Sequence, residues 1–272
     1  MSRVRPTAAI CLLLVAFLNC TASAADATAG WEALTRLDAN QALQDFTADL
    51  NRQPQDRAIR LGVALAELNR QPRLPGNVAA ARELLLALRT ENAQDDPGIA
   101  ATYTLARLDQ LDETNPDPVR AALAYRSLLA AHPGNPIAEL AAPKLAILLL
   151  YDEVPLAVWE ERVADVQAML PTLRTRAAQR DTRLVLADAL LRLRQDHARA
   201  YPLICYCLDA NLVARPPRLG MLLLQAAESA RVLGRPADAI RYYRRYVAEF
   251  PREDRTPEVR RRLAVLVGKA VP

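Results

Sequence analysis

Apolar positions along this chain recur at helical spacing, and the pattern itself recurs. In residues 221–233 (MLLLQAAESARVL), Leu223, Ala226, Ala227 and Ala230 fall at i, i+3, i+4 and i+7, the stripe of a helix with one buried face. Gly234 then stands where a helix C-terminus favours a left-handed residue, and Pro236 suits the first turn of the next helix. On that second helix Ala239, Tyr243, Tyr246 and Phe250 share a face, and Pro251 stops it. The small-residue, aromatic and proline positions of this hairpin occur three times, as Ala42-Phe46-Pro54, Ala121-Tyr125-Pro133 and Ala239-Tyr243-Pro251. The prolines are 79 and 118 residues apart, close to two and three times 39. A helical hairpin repeated about six times accounts for these intervals.

The small residue has a physical role. Where the two helices of a hairpin cross, only Ala or Gly fits at the contact, and the aromatic one turn later fills the space toward the next hairpin. Thr256-Pro257 reads as an N-cap followed by Pro at N1. A last helix to about Lys269, with Val259, Leu263, Leu266 and Val267 on one face, reads as a cap on the array. Two copies are degenerate. Pro72, Pro75 and Gly76 interrupt the second, over residues 55–95. In the fourth, over 152–180, Trp159 and Val163 take the small and aromatic positions of a helix from about Pro155 to Pro171.

Composition supports an all-α chain. Of 272 residues, 51% are hydrophobic but only 5% aromatic, and there are 8 Gly, so the apolar mass is mostly Ala, Leu and Val. The N-terminus changes the picture of where the protein acts. Arg3 and Arg5, the apolar run Ile10–Leu18 and the Ala22-Ser23-Ala24 site make residues 1–24 a secretory signal peptide, leaving 25–272 as the repeat domain. The run is too short to span a membrane. Cys20 opens an alternative, lipid attachment at the cleavage point, although Asn19 departs from the small residue expected before it.

Charge is uneven. Residues 31–120 hold 14 acids and 10 bases; residues 201–272 hold 7 acids and 13 bases. The basic end suits an acidic partner or anionic lipid head groups, or is a solvated arginine-rich face. The run Arg241-Tyr242-Tyr243-Arg244-Arg245-Tyr246 mixes cations with aromatics, as single-strand binders do. Its helical spacing buries Tyr243 and Tyr246, so it is read as a solvated face without nucleic acid.

Candidate chemistry is sparse. After the leader there are two serines, Ser127 and Ser229, and two histidines, His132 and His197, each histidine read as alone. No spacing suggests a base beside a nucleophile, a zinc cluster or a phosphate loop, so no catalytic residue, metal or cofactor is expected. Cys205 and Cys207 lie about 200° apart around a helix and cannot pair with each other. The pairs Asp95-Asp96, Asp152-Glu153, Glu160-Glu161 and Glu253-Asp254 sit mostly at helix starts or loops, where the helix dipole favours them.

Leu223, Ala227, Gly234, Ala239, Tyr243 and Pro251 together resemble the tetratricopeptide repeat family, as do Leu105, Leu108, Ala121 and Tyr125. Leu184, Ala187, Leu191 and Ala200 match in part. The interval near 39 exceeds the family's 34, and other α-α repeats of about 40 residues share it. Residues 121–151 are similar to repeats of bacterial cell-envelope proteins of the outer-membrane assembly lipoprotein and Tol-Pal accessory types. The resemblance implies a right-handed α-α superhelix, not an enzyme, that holds a protein or peptide partner in the cell envelope, free in the periplasm or anchored through Cys20, or serving as an accessory subunit of an enzyme. It implies a groove lined by the first helix of each hairpin, at Tyr103, Ala106 and Gln110 and at Met221, Leu224, Glu228 and Arg231.

Overall fold

The computed structural model describes residues 28–72, 74–111, 116–151, 156–214 and 216–270, so the leader, Cys20 and Asp152-Glu153 lie outside the described residues. Every regular element among the described residues is helical. The chain divides into two compact units after Ala141.

The first unit holds α1 (Thr28–Thr35), α2 (Ala39–Arg52), α3 (Arg57–Asn69), α4 (Pro75–Glu91), α5 (Asp96–Leu111), α6 (Pro118–Ala131) and α7 (Pro136–Glu139). Each helix packs on its neighbours in sequence, a solenoid-like order in which α1/α2, α3/α4 and α5/α6 are the hairpins. The second unit holds α8 (Ala141–Tyr151, whose first residue belongs to the first unit), α9 (Trp159–Met169), α10 (Arg176–Arg194), α11 (His197–Asp209), α12 (Arg218–Val232), α13 (Pro236–Glu249) and α14 (Thr256–Ala270). Its hairpins α10/α11 and α12/α13 follow the same sequential order, and α14 packs on α13.

The small-aromatic pairs sit where the pattern requires. Ala42, Ala121 and Ala239 are fully buried, and so are Phe46, Tyr125 and Tyr243. The ring of Phe46 explains two helical glycines. A Cβ on Gly30 or Gly62 would come within 2.7 or 2.5 Å of it, so both helices reach the ring only without side chains. Trp31 closes the same pocket, edge-on to Phe46 at 5.0 Å.

Three hairpin turns pass through a left-handed residue: Leu37, Gln195 and Gly234 have φ of 64°, 55° and 66°. After Leu37 and Gly234 the next residue's N–H reaches back five positions, from Asp38 to the Ala33 carbonyl and from Arg235 to Ala230, the six-to-one bond of a Schellman C-terminus. After Gln195 it reaches back six, from Asp196 to Leu190. Asp38 and Asp196 then cap the following helix, accepting from the N–H of Gln41 and Arg199 at 3.0 Å each; Asp117 does the same for Arg120 at 2.8 Å. Asn135 caps α7 by accepting from Ile137 and Ala138, as its place before Pro136 predicts.

Consecutive hairpins are stitched at the interval the prolines announce. Arg57 on α3 donates to Asp95 (2.7 Å), Glu91 (2.6 Å) and the Leu88 and Asn92 carbonyls, tying α3 to α4 and to the loop that leads into α5. Asn135 reaches Asp96, Arg199 reaches Glu160 and Tyr151 reaches Asp188, at separations of 39, 39 and 37 residues.

Two local expectations change. The helix expected from Pro155 to Pro171 is α-helical only over Trp159–Met169, with 3-10 turns at Leu156–Val158 and Leu170–Thr172. Val158 lacks a side chain that could cap, and Pro171 offers no N–H to continue the ladder. Thr256 is not the N-cap of α14. Its hydroxyl donates back to the Phe250 carbonyl at 2.5 Å, which pins the loop after α13.

Candidate partner-binding cleft

In the second unit the first turns of α12, the last turns of α13 and the loop before α14 enclose a cleft of about 380 Å³. It is lined at the bottom by Leu224, Tyr246 and Phe250 around Gly220, and at the rim by Met221, Pro217, Arg218, Glu253 and Arg255. Tyr246 and Phe250 stack at 5.3 Å between centroids. A Cβ on Gly220 would meet these rings at 3.3 and 3.4 Å, so the glycine brings α12 down onto them. Met221 stands half exposed at the mouth.

The cleft has a cause in the chain. Arg262 of α14 bonds Glu228 of α12, 34 residues earlier. At that offset Met221 corresponds to Arg255, one residue before α14 begins. The loop 251–255, exposed throughout, therefore passes where a helix would cover Met221.

The seven groove positions divide. Met221 and Leu224 line the cleft. Tyr103 and Ala106, their counterparts 118 residues earlier, are 3% and 1% exposed and belong to the core. The Tyr103 ring packs at 6.0 Å on Tyr125, and burial pushes its hydroxyl up to about 12. Tyr103 and Ala106 thus do not line an open groove: α5 is covered by α3, α4, α6 and α7. Gln110 and Glu228 hold the repeat together instead. Tyr125 donates to Gln110 at 3.0 Å, and Tyr243 donates to Glu228, both across 15 residues. Glu228 also accepts from Arg231 at 3.0 Å and from Arg262. Burial pushes the Glu228 carboxyl up, but these three donors outweigh it and hold it below the usual carboxylate range. Arg231 is half exposed and engaged with Glu228.

His197 is not alone: its Nδ1 lies 3.0 Å from the Ser229 hydroxyl, linking α11 to α12. Ser229 is 1% exposed, leaving no room for a carbonyl beside the hydroxyl, so the pair acts as an inter-hairpin hydrogen bond. Cys205 and Cys207 are both free thiols. Cys207 is fully buried, and burial pushes it up to about 11. Cys205 accepts from Tyr242 at 3.1 Å, and burial raises it too. Tyr242, within the run read as a solvated face, is 2% exposed and stacks edge-on with Tyr201 of α11 at 6.5 Å.

Among the described residues no group of three His, Cys, Asp or Glu could hold a metal ion, and no helix is long and apolar enough to cross a membrane. No family model and no curated protein matches this sequence.

Proposed function

We propose that this chain is an exported, tetratricopeptide-like scaffold of the bacterial cell envelope that holds a segment of another protein in the cleft between α12 and α13. The observation that carries the reading is the half-exposed Met221 above an apolar floor that no part of the described chain fills. Clefts of this size with apolar floors and a few polar groups are where proteins hold ligands or partner side chains. The leader-like residues 1–24 support export, and the sequential hairpins support a scaffold built from one repeated unit. No catalytic step is assigned.

The test is reversible crosslinking in cells, then purification of the native protein and of Met221→Asp. Met221 is half exposed, so both proteins should melt alike. The reading expects a stoichiometric envelope protein with the native chain and its loss with Met221→Asp. Retention of the same partner by Met221→Asp would remove the cleft from the interface.

A further inference from the structure

Resting on the docking reading, we propose that the cleft takes an acidic stretch of polypeptide carrying one apolar anchor side chain. The apolar lining, Leu224, Tyr246 and Phe250 with Met221 at the mouth, sets the anchor, because it offers apolar surface in a recess rather than a plane. The rim sets the charge. Arg218 shares Asp181 at 3.3 Å and stays 47% exposed. Arg255 is exposed and has no ion pair or side-chain hydrogen bond among the described residues.

The contrast with the rest of the molecule gives this weight. Arg57, Arg60, Arg199 and Arg262 all grip carboxylates. Arg244, Arg252, Arg255 and Arg260, clustered in sequence around the loop before α14, are exposed and grip none. Residues 142–272 carry 22 bases and 15 acids, a net of +7, whereas 28–141 carry 11 bases and 15 acids, a net of −4. Unneutralised cations therefore concentrate in the unit that holds the cleft, and an acidic segment complements them. Glu253 is the one acid on the rim and opposes such a segment. A flat anionic membrane is the poorer fit. It would press Glu253 and Asp254 of the exposed loop toward like charge and leave the recessed floor empty.

The experiment uses the purified chain without residues 1–24 and three probes: a dye-labelled peptide Asp-Glu-Asp-Phe-Glu-Asp, its counterpart with Lys for every acid, and vesicles of equal phosphatidylcholine and phosphatidylglycerol. The acidic peptide binds, and its affinity falls with added salt. Arg255→Glu weakens it about tenfold, since reversing a rim charge replaces an attraction by a repulsion. Glu253→Gln strengthens it, Met221→Asp abolishes it, and all three variants melt with the parent. Equal binding of the Lys peptide, or indifference to both Arg255→Glu and Glu253→Gln, overturns the proposal. Vesicle binding that survives Met221→Asp overturns it in favour of a membrane surface. If the acidic peptide fails while a cellular partner still depends on Met221, the acidic class falls and the docking reading stands. If neither binds, both fall.

Discussion

Two tyrosines 118 residues apart hold their hairpins with different partners. Tyr125 donates to the neutral amide of Gln110, and Tyr243 to the ionised carboxylate of Glu228. Hydrogen bonds to charged groups are the stronger class, so urea unfolding should show Tyr125→Phe costing about 1 kcal/mol and Tyr243→Phe about 2 kcal/mol. Equal losses would mean the Glu228 charge adds nothing. Asp109 carries a pH dependence. It is 7% exposed and accepts from Arg120 at 2.7 Å and Arg82 at 3.0 Å. Burial raises its carboxyl, but the two guanidiniums outweigh burial and set it below its ordinary 3.8. A folded value below the unfolded one gives stability that is complete above the unfolded value and lost as pH falls toward the folded one. Asp109→Asn should therefore be less stable at neutral pH and lose less further stability on acidification below 3.8, read as melting temperature against pH. The small residues and aromatics of the repeat were legible as residues, because size and period alone require them. Tyr103 was not: it occupies the same repeat position as Met221, and what covers a position depends on the neighbouring helices.

At the scale of elements, turn chemistry decides where hairpins fold back. Gly234 takes its left-handed conformation without steric cost, while Leu37 adopts φ 64° with its side chain 66% exposed. Leu37→Gly should stabilise the protein by about 0.5–1 kcal/mol in urea titration, the relief of strain exceeding the added chain entropy. A loss of stability would show that the Leu37 side chain contributes packing that its exposure conceals. Gly234 was legible from its type and place. Leu37 and Gln195 were not, since neither type favours φ above zero. The capping aspartates Asp38, Asp117 and Asp196 did leave a signal, a spacing of 79 and again 79, but proline and aromatic positions masked it. In the last hairpin Arg235 takes the place and makes no side-chain cap, so the series is broken there.

At the scale of the whole chain, one repeated unit produces most of the architecture, and its irregularities locate the candidate site. Hydrogen bonds between successive hairpins at 37 to 39 residues repeat the interval read from the prolines. The cleft comes from a place where the next helix begins late, after an exposed loop that carries both signs of charge. Such a gap has no periodic signature, although Met221 and Leu224 were reached by carrying the repeat pattern forward. The direct test places a photo-crosslinking residue singly at Met221 and at Tyr103 in cells. The account predicts one dominant protein partner from Met221, and from Tyr103 only products within the chain. Partner capture from Tyr103, or none from Met221, would contradict it.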